Sequence, residues 1–487
     1  MKRLLFLSLL SPFVTTSVAE TKPDVKTPNP DILFLFVDDM TYDGVCAIGN
    51  REVITPNMDR IVDQGVCFSN THNMGGWNGA LSMASRTQLM TGKFLWNAFA
   101  EQNRDKFDSI IEEQRTWPQV ITNGGYKSYH TGKWHVSGVD PADIYDEVEV
   151  ARPGMPNDNR NTTGVGYNRP LSPEDNSWLP WDKSMGGFWE GGKHWSEVQA
   201  DLIIAYMERN QDSDKPLFMT CAFNAPHDPR QSPEGYTDKY PVEQIAVPKS
   251  FQPEHPYMEQ MRSGKEVRDE QLAPWPRTEY AVQKHTQEYY AIITHLDEQI
   301  GRILEALESS GRADNTLIIL TADNGLAMGK HGFLGKQSLY DHSMRVPLVI
   351  AGCGLPKGER RDQMVYMQDI VPTMYEVAGV EAPEGTDFNS LIDIAKSKKA
   401  KSNYEYIYGA YIDKQRMIKD DRYKLFLINE AQKGYLFDLK SDPDEINNLF
   451  DDPKYKSVVE RLSQAYLEYE ASMNDKYDIK PSFPELF

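Results

Sequence analysis

Four short, unbroken apolar runs constrain this chain more than any other feature: residues 32–37, 217–223, 317–320 and 346–350. A run without polar alternation has no face to offer water, so it suits a strand buried on both sides of a parallel sheet. Helical stretches separate these runs. Thr55-Pro56 predicts a helix start and Gly65 its end, a first-turn proline paired with a terminal glycine. Apolar residues at 289, 293, 296, 300, 303 and 307 keep the three-and-four spacing of a helix face, and Gly311 ends it. Strand and helix in alternation predict an α/β chain folded as a three-layer sandwich.

Two regions leave that pattern. Residues 140–195 are rich in Pro, Gly, Asn and Trp (Trp178, Trp181, Trp189, Trp195), and a loop excursion of that length usually carries function. Lys396-Ser-Lys-Lys-Ala-Lys401 reads as a basic linker. Beyond it, residues 404–411, 423–428 and 434–438 predict antiparallel strands and 457–473 a final helix, together a smaller α+β domain. At the other end, Lys2-Arg3, the apolar run 4–10 and Ser17-Val18-Ala19 have the form of an export leader. The expected organisation is a signal peptide at 1–19, a large α/β domain at 20–395 and a C-terminal domain at 402–487. Such a chain is exported, to the periplasm or outside the cell, and no later run is long and apolar enough for a membrane span. Cys46, Cys67, Cys221 and Cys353 have mostly apolar neighbours and are expected as buried thiols, with room for one disulfide.

Open α/β sheets hold ligands outside the carboxyl ends of their strands. The first run ends in Asp38-Asp39, and the segment 126–130 leads into Gly132-Lys133-Trp134-His135. Asn224-Ala-Pro-His227 follows 217–223; Asp323-Asn324-Gly325 follows 317–320, with His331 and Lys336 shortly after. These side chains are expected to converge on one rim. Asp38, Asp39, Asp323 and Asn324 offer only oxygen, a donor set for a hard cation such as calcium or magnesium rather than zinc. The 52 Lys and Arg against 72 Asp and Glu leave a net charge of −20, a field that disfavours nonspecific grasp of nucleic acid.

One further stretch is more specific: Ser82-Met-Ala84-Ser-Arg86, followed by Thr91-Gly92-Lys93. Read alone, Ser82 is a helix cap. The stretch resembles the signature of type I, formylglycine-dependent sulfatases: Cys or Ser, any residue, Pro or Ala, any residue, Arg, then a short helix and Thr-Gly. The other motifs match that family in order along nearly the whole chain after residue 20. Asp38-Asp39 and Asp323-Asn324 resemble its calcium pairs. Lys133 and His135 in Gly-Lys-Trp-His, His227 in Ala-Pro-His and Lys336 in the segment 331–336 resemble its sulfate-binding and proton-handling residues. Asp421-Arg-Tyr-Lys-Leu and the stretch 436–449 are similar to its small C-terminal domain. Asn73-Met-Gly-Gly-Trp-Asn-Gly-Ala is similar to bacterial sulfatases that act on algal polysaccharides such as ulvan or carrageenan.

The resemblance implies an alkaline-phosphatase-like fold, a catalytic domain at 20–395 and hydrolysis of sulfate esters on a sulfated algal polysaccharide or oligosaccharide. It implies that Ser82 is oxidised to formylglycine (3-oxoalanine) by a radical S-adenosylmethionine maturase, in a bacterial source. One hydroxyl of the aldehyde hydrate would attack sulfur and the other would expel sulfate. Residue 82 would lie beside a Ca2+ ion held by Asp38, Asp39, Asp323 and Asn324. Arg86, Lys133 and Lys336 would add positive charge, His135 would act as base, and His227, with Lys336, would protonate the leaving alcohol. Trp77, Trp96 and the tryptophans of 140–195 offer faces for sugar rings, and Arg104, Lys183 and Lys193 are candidates for a basic cleft. Two alternatives stand beside this reading: a phosphate diester or phosphonate hydrolase on the same fold, and a sulfated-glycan binder in which Ser82 stays unconverted.

Overall fold

The first apolar run becomes the strand β1 (Asp31–Val37), buried at every position. The computed structural model describes residues 29–156 and 167–487, so the leader expected at 1–19 lies outside the described residues. In chain order there follow α1 (Pro56–Gln64), β2 (Gly65–Phe68), β3 (Gly75–Gly76), α2 (Leu81–Thr91), α3 (Leu95–Asp105), α4 (Trp117–Asn123), β4 (Lys127–Lys133) and β5 (Glu147–Arg152). Then come α5 (Trp195–Arg209), β6 (Leu217–Ala222), α6 (Glu279–Ser309), β7 (Thr316–Ala322), β8 (Leu348–Ala351), β9 (Glu359–Arg361) and α7 (Ile370–Ala378). The C-terminal part holds β10 (Ile407–Tyr411), β11 (Gln415–Lys419), β12 (Tyr423–Ile428), β13 (Lys433–Asp438) and α8 (Lys456–Ser472).

The main sheet has eight strands in the order β9-β2-β8-β7-β1-β6-β4-β5. β1 runs parallel to both β7 and β6, and β4 runs parallel to β6 and β5. Helices α1, α5 and α6 pack together on one side, and α2, α4 and α7 on the other. This is the alkaline-phosphatase-like α/β/α sandwich, with a smaller C-terminal unit beside it. The run at 346–350 departs from expectation, because β8 pairs antiparallel with β7. Residues 323–347 contain only the short helix Asp341–Met344. With no crossover helix to carry the chain back to the other end, it re-enters the sheet in the reverse direction.

Local chemistry explains several boundaries. The Thr55 hydroxyl does not cap α1; it accepts from the Cys46 N–H at 2.8 Å and donates to Asp59 at 3.1 Å. Gly65 is extended rather than left-handed, and its small size serves close packing: a Cβ there would sit 2.5 Å from the Ile350 carbonyl oxygen. Helix α6 begins at Glu279, well before the periodic stretch, where the Thr278 hydroxyl accepts from the Ala281 N–H. Cys67 and Cys221 are buried and Cys46 is half-buried, all as free thiols. Cys353, expected to be buried, is exposed because it sits in the turn that leaves β8.

The second sheet has the order β13-β12-β11-β10-β3. Its strand β11 gave no apolar signal, since Gln415, Arg416 and Lys419 are polar yet buried. Each is satisfied: Gln415 by the Met261 and Gln337 carbonyls, Arg416 by Asp475, and Lys419 by Asn70. Strand β3, just before α2, joins this sheet beside β10. The two sheets are therefore tied together by the segment that carries residue 82.

Candidate active site

The carboxyl ends of β1, β4 and β7 and the first turn of α2 meet at one point. Asp38 and Asp39 leave β1, Asp323 and Asn324 leave β7, and Lys133 is the last residue of β4, which runs three residues past the segment 126–130 that the sequence suggested. Ser82 is the second residue of α2, whose N-cap is Ala80, so its hydroxyl does not cap the helix and is free to point at the carboxylates. The Thr91-Gly92 end of the motif has a plain role: Gly92 takes φ 65° and its N–H bonds the Gln88 carbonyl, closing the helix.

The contacts are mutual. Ser82 Oγ lies 3.2 Å from Asp38 Oδ1, 3.1 Å from Lys336 Nζ and 3.4 Å from Asn324 Nδ2. Lys336 Nζ donates to both Asp39 oxygens, at 2.5 and 2.6 Å, and Lys133 Nζ donates to Asp38. Arg86 Nε donates to Asp323 Oδ2 at 3.0 Å, Nη1 donates to the Lys133 carbonyl at 2.9 Å, and the guanidinium lies over the Phe36 ring. His227 Nε2 is 3.4 Å from Asp39 Oδ2, and its Nδ1 is 2.7 Å from the Asp228 carbonyl oxygen. All these side chains are at least nine-tenths buried.

Burial and the neighbouring Asp323 push the Asp38 carboxyl up to about 6, against the opposing pull of Lys133. Burial works to raise Asp323 as well, but Arg86, Lys133 and Lys336 hold it well below the usual carboxylate range. Burial would lower the Lys336 ammonium, yet the facing carboxylates raise it above the usual lysine value. Burial and then Lys133 and Arg86 depress the His135 ring, which keeps it neutral. Its Nδ1 is buried without a partner among the described residues, and Gly154 packs against the ring.

Carboxylate oxygens of Asp38, Asp39 and Asp323 lie within 4.8 Å of one another. That oxygen-only cluster, with Asn324 beside it, fits a hard divalent cation. Above it opens a pocket of about 350 Å3, with Ser82, His135, His227 and Lys336 in its walls. The structure thus brings together Asp38, Asp39, Ser82, Arg86, Lys133, His135, His227, Asp323, Asn324 and Lys336, whereas His331, expected on the same rim, turns away: its ring stacks on Tyr340 and its Nε2 faces the Asp444 carbonyl oxygen at 3.1 Å. Sequence reasoning missed Arg268, Asp269 and Gln337, which also line the pocket. Arg268 pairs with Asp228 and Asp269, and Gln337 Nε2 donates to Asp269 at 2.9 Å. The only sequence signal was adjacency: Asp228 follows His227, and Gln337 follows Lys336. Arg104, Lys183 and Lys193 do not line it; they bond Glu101, the Gly192 carbonyl and Asp201 at the surface. Trp178 and Trp195 are buried beneath Arg169 and Arg152 rather than presented to a sugar.

The family model described as Sulfatase matches residues 30–380. The chain belongs to the sulfatase family. A second model, N-sulphoglucosamine sulphohydrolase, C-terminal, matches residues 329–472. This sulfatase is 27% identical to the N-acetylglucosamine-6-O-sulfatase of Bacteroides thetaiotaomicron, covering 96% of this chain and 91% of that one. It is 25% identical to an ulvan-active sulfatase of Formosa agariphila, covering 93% and 82%. Among solved structures, the phosphonate monoester hydrolase of Silicibacter pomeroyi superposes with a TM-score of 0.74 at 19% identity, over 92% of this chain and 96% of that one. At that identity the likeness shows the fold alone. The enzyme is a sulfuric ester hydrolase.

Proposed function

We propose that this sulfatase removes sulfate from a sulfated carbohydrate of the algal-polysaccharide kind, using residue 82 as its nucleophile after oxidation of Ser82 to formylglycine. The observation that carries the reading is the placement of Ser82 Oγ: one buried hydroxyl faces Asp38, Asn324 and Lys336 at the floor of an open pocket. The carbohydrate part rests on the relatives, one named for N-acetylglucosamine 6-O-sulfate and one for ulvan.

The roles follow from position. Asp38, Asp39, Asp323 and Asn324 would hold a calcium ion, which when bound supplies positive charge to the sulfate oxygens. Lys133, Lys336 and Arg86 add charge where the equatorial oxygens of the transferring group spread theirs. Residue 82 in the first turn of α2 sits among backbone N–H groups that no turn of helix satisfies, which favours an oxyanion there. His135, neutral and with Nδ1 unpartnered among the described residues, accepts the proton whose loss expels sulfate from the enzyme. His227, at the pocket wall, donates to the departing alcohol oxygen. A bare serine hydroxyl would leave a stable sulfate ester, which is why maturation by a radical S-adenosylmethionine enzyme belongs to the proposal. The leader-like residues 2–19 support a matured, exported enzyme.

The test is the mass of the tryptic peptide ending at Arg86, from protein made in its own host, beside turnover of 4-nitrophenyl sulfate. A loss of two hydrogens with sulfate release is the expected pair. Full turnover with unmodified Ser82 would overturn the formylglycine nucleophile.

A further inference from the structure

Beside the pocket over Ser82 lies a groove lined with aromatic rings. Gly79 and Ala80 line the pocket, and the two residues before them, Trp77 and Asn78, line an adjoining hollow of about 590 Å3. His135 and Ser137 make the same link along another stretch of wall. Trp77, Phe99 and Asn103 are shared in turn with a further hollow of about 570 Å3, which Trp96 and Tyr477 help to line. The two aromatic hollows share part of their walls, and the walls of the Ser82 pocket connect to theirs within two steps along the chain.

The rings are held in place without a ligand. Trp77 follows β3, whose Gly76 carbonyl accepts from the Ile412 N–H at 2.9 Å, so the second sheet fixes where the indole begins. The Phe99 ring centroid lies 5.4 Å from Trp77 and 6.2 Å from Trp96. Trp96 Nε1 donates to the Tyr408 hydroxyl at 3.2 Å, and that hydroxyl donates to Asp475. Arg416 closes the network on Asp475 with bonds of 2.6 and 3.1 Å, and its guanidinium lies 5.4 Å from the Trp96 centroid. Trp77, Trp96 and Phe99 are only half-buried, and the groove they border is open. Aromatic surface fixed in advance binds with little ordering cost.

Chemistry selects the occupant. Flat apolar faces beside the amides of Asn78, Gln102 and Asn103 match the C–H faces and hydroxyls of pyranose rings. The groove carries little net charge: Arg416 is paired with Asp475, and Asp413 stands against the two lysines Lys106 and Lys476, which leaves one positive charge over both hollows. One positive charge spread over two hollows is too little to match a run of sulfated rings. We propose that this groove binds the unsulfated sugar rings flanking the sulfated residue that sits over Ser82. The substrate is thus a glycan chain in which sulfated and neutral sugars adjoin, rather than a free monosaccharide. The inference rests on the carbohydrate-sulfatase reading above.

The test uses the full chain and size-fractionated di-, tetra- and hexasaccharides from ulvan and carrageenan digests. Intrinsic tryptophan fluorescence is titrated with each fraction, and sulfate release is followed on the same fractions and on 4-nitrophenyl sulfate. For the digest that is turned over, kcat/KM is expected to rise by about fivefold or more from di- to hexasaccharide. The gain should disappear in W77A and F99A and survive in W77F, which keeps an aromatic face. A flat length dependence, or a gain that survives in a W77A protein with wild-type unfolding, overturns the groove. So does an enzyme that cleaves 4-nitrophenyl sulfate while no fraction is cleaved or quenches its fluorescence. Length-dependent quenching lost in W77A, with no sulfate released from any compound, sustains the groove and overturns the catalytic reading instead.

Discussion

His227 faces Asp39 Oδ2 with its Nε2 at 3.4 Å while its Nδ1 faces the Asp228 carbonyl oxygen at 2.7 Å. Both nitrogens therefore look at acceptors, and only the ring that carries both protons donates to each. A proton held at Nε2 on the pocket wall is the one a departing alcohol needs. The H227A variant is expected to lose 4-nitrophenyl sulfate turnover modestly and turnover of an alkyl or sugar sulfate by about 10²- to 10⁴-fold. Comparing kcat on the two leaving groups checks this; equal losses on both would remove the assignment.

Arg86 is almost wholly buried and Asp323 entirely so, and they form one ion pair at the base of the cluster. Removing one member of a buried pair leaves the other charge uncompensated, at about 3–5 kcal/mol. R86A should lower the unfolding midpoint as well as abolish activity. R86K should recover part of the stability, since lysine keeps the charge but cannot reproduce the Nε and Nη1 bonds to two partners. Thermal unfolding of both variants checks the order.

Gly132, just before Lys133, sits at φ +103°, and a Cβ there would fall 1.9 Å from the Ala222 carbonyl oxygen. Strands β4 and β6 approach too closely for any side chain. G132A is expected to cost more than the ~1–3 kcal/mol of backbone strain alone, and to displace Lys133 from Asp38. The measurements are the unfolding midpoint and 4-nitrophenyl sulfate turnover of the soluble fraction; wild-type values for both would show that the strands can part.

Three carboxylates this close repel one another, and a bound cation relieves that repulsion. Calcium at about 100 times its Kd should stabilise the chain by ~2.7 kcal/mol over protein treated with chelator. Midpoints measured with calcium, magnesium and chelator decide it. Asp323→Asn should lose the calcium response.

His72, His130 and His255 are buried, and burial lowers each ring to about 3. In the unfolded chain they protonate near 6.5, so between these values the unfolded state binds more protons than the folded one. Their contribution to stability is full above about pH 6.5 and is lost as pH falls toward about 3. Unfolding midpoints in chelator should fall steadily over this window. His130→Phe, which removes one of these buried rings, should flatten the slope.

The central strands, the rim they end on and all of the expected cluster but His331 were legible in the sequence, because buried parallel strands are continuous apolar runs and the residues after them keep their order. What sequence could not supply was direction, depth and neighbours. β8 reads like β1 but runs antiparallel to β7, since strand direction depends on what connects two strands and not on the residues within them. β11 is hidden because its buried polar side chains find partners far away in the chain, such as Arg416 with Asp475. Lys336 meets Asp39 across 297 residues and Arg268 reaches Asp228 across 40, separations along which local pattern carries no information. From sequence come the apolar central strands and the polar side chains gathered at their carboxyl ends. The tertiary structure alone decided that Ser82 faces the carboxylates rather than capping its helix, and that Trp77 and Trp96 border an open groove while Trp178 and Trp195 are buried. The physical reason is that burial and facing are set by packing between distant segments, which no single stretch of chain encodes.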